Sequence, residues 1–587
     1  MKRLVILFAA SFALAASGAD PYAGYIYPAG IQAGTTNRFL VGGQGLKNIK
    51  RVYFDNPALT VVDVEPVPNF PFPGNSAQRR HLTKWLDGIA AGKPEEPPRP
   101  TDSAVISEWR SNSWWSALGT LDAGKIAIVE RDLFTPRNAL QASPSLSQKM
   151  LVTVAAAPDA KPGWCRFMVV TGAGISAPRP FEVCTASRTT EPLYAPPHRR
   201  HPPTSADLRT DGAILDGRIM PGETDVFRLR LAAKKPYVFA ATARELQPYV
   251  GDAVPGFFNV ALVLRNSDGA IVAKADDTAR FRPDSVIYFT PKREGEFTLE
   301  LHDVLHRGRA DFVYAVAVNT VGPRLRYPDI GYPARVRSAP PDGTVSAPGA
   351  VSRRTFVVDE PGPRVLEVVA RRRGSPLDAV LKLRKSADGP VFAHWDDSTN
   401  KLFVGTIPQG ECDPVGTYYF AEPGEYVAEV TDRTGHGSKW YTWWLDVRKP
   451  TPGFDVYSTR STLPLSRTAP LKVDFCIVRK DGFDGDVTLE FPDGVQPAAP
   501  CVATAGVDRV SAKLFYRGAQ AVEMRPVRLT ARATIGGKVV RVPVTPCDEY
   551  EQAFAWKHLV PTVNFVMNAP AAPRGGGKQR KPPPRHN

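Results

Sequence analysis

The 587 residues, 43% of them hydrophobic, suffice for roughly four packed domains of 100–150 residues, which excludes a disordered chain. Fifty-seven prolines and 47 glycines spread along the sequence fit many short strands and turns and exclude an architecture of long helices. The formal charge of +15 fits either plain solvation or attraction to an anionic surface or polysaccharide.

Lys2-Arg3, the apolar run Leu4 to Ala16 and the small residues Ser17-Gly18-Ala19 form the pattern of an export signal ending at residue 19. That run is too short to span a bilayer, and no later segment approaches the roughly 18–20 apolar residues a spanning helix needs. The expected location is therefore the periplasm or the cell surface, where nucleic acid is no expected partner. Six cysteines, an even number in an exported chain, permit disulfides. Cys165 and Cys184 flank an apparent hairpin and are the expected pair.

Residues 20–185 read as one immunoglobulin-like sandwich with a helical insertion at about 65–149. Asn75 to Gly92 predicts a helix, with Leu82, Leu86, Ile89 and Ala90 on one face and Trp85 beside it. The break KPEEPPRP ends it, and Trp109, Trp114, Trp115, Leu118 and Leu121 suggest a second apolar helical segment. Strands resume at Met150–Val154. Residues 186–206, with two Pro-Pro pairs and His198-Arg199-Arg200-His201, read as a linker.

Two repeats follow, 207–320 and 325–448. Phe297, Leu299 and Leu301 alternate with Thr298, Glu300 and His302, so this stretch predicts a strand with one wet face. Asp268-Gly269 precedes Asp276-Asp277 by eight positions, as Asp388-Gly389 precedes Asp396-Asp397; Asp303 to Tyr314 and Asp432 to Trp443 are both eleven. Matching spacings argue for a duplicated β-domain. Residues 451–548 read as a fourth, immunoglobulin-like sandwich, 549–568 as a short helix and extension, and 569–587 as a disordered basic tail. The fold class is all-β, a string of sandwiches.

Pro221-Gly222-Glu223-Thr224-Asp225-Val226-Phe227, Asp276-Asp277 and Glu294-Gly295-Glu296-Phe297-Thr298-Leu299 resemble bacterial pre-peptidase C-terminal (PPC) domains, as do Gly374-Ser375-Pro376-Leu377-Asp378, Asp396-Asp397 and Pro423-Gly424-Glu425-Tyr426 in the second copy. With the opening GYIYPAGIQAGTT and the ending QAFAWKHLVP, the chain resembles a large exported planctomycete-type family that places a TIG module before a PPC pair. The resemblance implies jelly-roll-like accessory modules and no particular chemistry.

Calcium is the cofactor this resemblance brings in. Glu223, Asp225, Asp252, Asp276 and Asp277 supply the hard oxygens it needs, although acidic pairs after a strand also make turns. In the second copy Arg354 aligns where Asp225 stands. Trp395 and Trp444 are the candidates for an exposed aromatic platform on which a sugar would stack, against the alternative that they pack inside. His302 and His306 have zinc-pair spacing for a helix, but on a strand end they read as turn residues. No GxSxG, HExxH or Ser-x-x-Lys constellation occurs. The expected function is non-catalytic binding or scaffolding at the envelope or on extracellular polysaccharide. A purely structural envelope protein and a hydrolase are the other classes.

Overall fold

The computed structural model describes residues 21–569, apart from 69, 71–75, 94–102, 135–145, 172, 192–202, 248–255, 257, 277–283, 320–339, 374, 398–401, 405–406, 410–412, 440 and 553–555. Strands dominate, in an all-β multidomain sandwich architecture. The expected export signal and the basic tail lie outside the described residues.

In the first domain, one four-stranded sheet runs in the order Tyr22–Tyr27, Thr36–Gln44, Gln148–Ala156, Leu59–Val67. The other runs Gly30–Gln32, Arg179–Cys184, Gly163–Thr171, Ile49–Phe54. Phe39, Val41, Phe167 and Phe181 fill the space between them, Phe39 meeting Phe181 edge-on at 5.2 Å. Leu40 and Leu151, on the opposite phase, are buried as well, because the helical insertion covers that outer face. Of the helices α1 (Ser76–Ala90), α2 (Ser103–Ser111), α3 (Ser113–Ser116) and α4 (Ala123–Phe134), α1 supplies Leu82 and Leu86 to this second core, α3 Trp114, and α4 Val129 and Leu133. Asn112 caps α3 by accepting from the Trp114 and Trp115 amides. Asp122 caps helix α4, its carboxylate accepting from the Lys125 amide at 3.0 Å.

The two repeats share one topology. In the first, a sheet ordered Asp225–Leu231, Gly295–Asp303, Val260–Asn266, Ile271–Ala275 faces Val286–Phe289, Tyr237–Thr242, Val313–Val318, Ala213–Arg218. In the second, Ser352–Val358, Gly424–Asp432, Ala379–Arg384, Val391–Trp395 face Val415–Phe420, Gly362–Val369, Thr442–Arg448, Gly343–Thr344, matching strand for strand. Leu299 and Leu301 are buried with Glu300 and His302 half-buried between them, as the alternation requires. The ends of the expected linker are strands instead. Ser187–Thr190 pairs in parallel with Ala213–Arg218, and Thr204–Asp207 with Asp225–Leu231.

The fourth domain packs an eight-stranded against a three-stranded sheet. The helix expected near 549–561 is a hairpin, Cys547–Gln552 against Trp556–Pro561, followed by the strand Phe565–Ala569. Cys547 and Leu559 are buried with Tyr457 and Cys476 under this hairpin. Period two governs there, but so few apolar positions carry it that the alanines on either side of Phe554 masked it.

The chain returns on itself. Val566 of the fourth domain packs with Met168, Val170 and Ile175 of the first. Arg448, at the end of the second repeat, pairs with Asp481 of the fourth domain.

Candidate functional site

Buried charge concentrates where the first domain and its insertion meet the first repeat. Strand Ala213–Arg218 lies beside Val313–Val318 with Gly217 opposite Tyr314. A Cβ at Gly217 would stand 2.0 Å from Tyr314 Oη and 2.8 Å from Asp225 Oδ2, so only glycine lets these groups meet. Tyr314 Oη donates to Asp225 Oδ2 at 2.7 Å. The Asp225 carboxyl is also hydrogen-bonded to that of Glu191. Burial, with the neighbouring carboxylate of Glu223 adding to it, pushes Asp225 up to about 7. Burial and then the charge of Asp225 raise Glu191 well above the carboxylate range.

Glu223 is held by other partners, accepting from the Met220 amide at 2.8 Å and from Arg131 of α4 at 3.0 Å. Tyr27 Oη of the first domain donates to the Glu191 carbonyl at 3.1 Å, and the Arg218 guanidinium lies 5.0 Å above the Tyr27 ring. Nearby, Arg188 spans Asp216 (2.5 and 2.8 Å) and Glu182 (2.9 Å), tying both domains to one cation. Chemically this is a clasp of charge-assisted hydrogen bonds closed over by Tyr25, Leu246 and Val313.

Of the three calcium candidates among the described residues, Glu223, Asp225 and Asp276, the structure brings Glu223 and Asp225 together. Asp276 is exposed, one position past Ala275. Pairing runs Asp225 to Leu301 to Leu262 to Ala275, so Asp276 lies three strand spacings, roughly 14 Å, from Asp225 and cannot share a ligand shell with it. Asp252 and Asp277 lie outside the described residues. Among the described residues no group of three or more His, Cys, Asp or Glu side chains has metal-binding geometry. The alignment of Arg354 with Asp225 is also corrected. Asp225 pairs with Leu301, and in the second copy Ser352 pairs with Val430, the equivalent position; Arg354 faces Ala428 and bonds Asp342.

Trp395 and Trp444 form no platform. Trp444 is 9% exposed, with the Arg373 guanidinium 4.1 Å from its ring centre. Trp395 packs on the core between the sheets, against the Gly416 backbone, whereas Trp444 lies on the other face of its own sheet. Nor are Cys165 and Cys184 bridged; both are buried free thiols. Cys165 is paired with Phe181, and Cys184, three residues farther on, has the opposite parity. Parity sends Cys165 into the sandwich core and Cys184 outward against Ile214 and Ala315. His302, near the end of its strand, and His306, in the loop after it at φ 52°, stack at 4.5 Å.

Asp303 and Asp432, which open one pair of matched spacings, prove to be structural carboxylates. Asp303 accepts from the amides of Asn259, Leu305 and Arg307, and Asp432 from those of Asp378, Thr434 and His436. Asp284 holds the amides of Ala243 and Arg244, and Asp413 those of Ala370 and Arg371. Glu191, Tyr27 and Arg131, three members of the interdomain cluster, were missed. Each lies in a different segment, and no local pattern joins them.

No family model matches the sequence, and no curated protein does. Among solved structures, a mutant Salmonella alpha-2-macroglobulin aligns at 10% identity over 90% of this chain and 32% of that one, with a TM-score of 0.11. The chain thus spans about a third of that protein's length, and the likeness carries no argument.

Proposed function

We propose that this is an exported, non-catalytic multidomain protein that binds or scaffolds at the cell envelope or on extracellular polysaccharide. The observation that carries the reading is the return of the fourth domain onto the first, because it turns four sandwiches into one fixed frame. The repeats serve as accessory modules of the PPC type and the first domain as a TIG-like one. Their duplicated carboxylates are consumed in holding loops. The surface we assign to binding is the shallow groove between the edge strands Ile49–Phe54 and Leu59–Val67. It offers Lys50, Arg51 and the Tyr53 ring, with Pro526 of the fourth domain at its rim.

A purely structural envelope role is the second reading, favoured by the burial of Trp444. An array of anionic and neutral polysaccharides, probed with and without calcium, separates the two. Binding weakened at least tenfold in Lys50→Ala/Arg51→Ala protein supports the groove. Binding to nothing on the array supports the structural role, and release of sugar by the pure protein sinks both.

A further inference from the structure

Glu191 leaves the first strand of the crossing segment, Ser187–Thr190, and turns its carboxyl onto that of Asp225, where the first repeat faces the first domain. Two carboxyl groups in hydrogen-bond contact hold one proton between them; two bare carboxylates there, away from water, would repel. The surroundings offer little relief. Glu223 adds negative charge, and Arg131 of α4 is engaged with it. Asp216 adds more, and Arg188 is engaged with that. Glu182 draws on the same arginine. Arg218 gives some: its backbone N–H donates to the Glu191 carboxyl and its charge acts on Asp225, while its guanidinium also covers the Tyr25 and Tyr27 rings. Tyr314 donates to Asp225 and Tyr27 to the Glu191 carbonyl, so neither phenol supplies charge.

We propose that one proton shared by Glu191 and Asp225 latches the crossing strand Ser187–Thr190, which leads out of the first domain, onto the first repeat, and that its loss as pH rises loosens this contact. The upward displacement of both carboxyls by burial has the sign this requires. The closed state binds a proton that the opened state, with ordinary carboxylates, releases. Closure is therefore fully supported below the usual carboxylate range and weakens as pH rises toward the raised values, about 7 for Asp225. The second repeat is a built-in control, since Ser352 takes the place of Asp225 and Trp443 that of Tyr314.

The test is hydrogen exchange of the full chain between pH 5 and 8, read by mass spectrometry and corrected for the intrinsic rate. Peptides carrying Ser187–Thr190 and Ala213–Arg218 report on the latch, and Gly424–Asp432 on the control. One linked proton makes the opening constant rise about tenfold per pH unit, roughly a hundredfold between pH 5 and 7. Asp225→Asn, which fixes a hydrogen on the pair, should flatten the rise; Glu191→Gln should do the same and decides the matter if Asp225→Asn does not fold. A wild-type slope that survives in the folded variants, that is absent from the start, or that appears equally in the control peptide overturns the proposal.

Discussion

Replacing Asp303 by asparagine tests whether the duplicated carboxylates hold the repeats together. Asp303 is wholly buried at its side chain, and its Oδ2 accepts from the Leu305 amide (3.0 Å), the Arg307 amide (3.2 Å) and Arg307 Nε (2.8 Å). Its Oδ1 accepts from the Asn259 amide (3.1 Å) and Arg307 Nη2 (3.0 Å). Asparagine keeps one acceptor, so an NH₂ must face either the loop amides or Asn259. At about 1–3 kcal/mol for each buried donor left unpaired, with the charge on Arg307 also uncompensated, the loss is about 3 kcal/mol. For a unit of roughly 110 residues that lowers its melting transition on the order of 15 °C. Calorimetry of the full chain measures the shift, and exchange at the Asn259 and Leu305 amides localises it. A transition moved by less than about 3 °C, with those amides still protected, would refute the reasoning.

The same carboxylates fix an acid limit. Against the upward push of burial, hydrogen bonds from Arg307 hold Asp303 below the usual carboxylate value, and those from Thr434 do so for Asp432. A lowered folded value gives stability that is present above about pH 4 and lost as pH falls through the folded values. An acid titration by circular dichroism should show the Asp303→Asn/Asp432→Asn double variant, already weaker, losing less over that range. Gly217→Ala should cost about 1–3 kcal/mol by denaturant unfolding, because the new methyl has no room beside buried Tyr314; full tolerance would mean the Tyr314–Asp225 contact is slack. Arg188→Met leaves the wholly buried Asp216 without its partner and should cost about 3–5 kcal/mol, whereas a loss under about 1 kcal/mol would remove Arg188 from the clasp. Burial raises the Cys476 and Cys501 thiols to about 11, so a thiol reagent at pH 8 should label them only after unfolding; rapid labelling of the native protein would contradict their burial.

Much of this fold was legible because a sandwich writes its pattern locally. Phe297, Leu299 and Leu301 declare a strand without reference to any distant residue, and equal Asp-to-aromatic spacings declare a copy. The end hairpin escaped because too few of its residues alternate, and α4 escaped although Asp122 caps it. The candidate site was less legible for a different reason. Asp225 was picked out by its motif, but its partners Glu191, Tyr27 and Tyr314 come from a crossing segment, another domain and a facing sheet. Only folding assembles them. The calcium set and the Cys165–Cys184 pair erred in the opposite direction, treating nearness along the chain as nearness in space where strand spacing and side-chain parity forbid it.

The seating of Val566 among Met168, Val170 and Ile175 has a mechanical consequence. In beads on a thread, tension applied to the outer two units would run through every joint in turn. Here the outer units also grip each other directly, so a second path for load runs beside the one through the two repeats. A pull on this molecule meets that apolar seam and the Arg51–Glu523 pair beside it as well as the joints through the repeats.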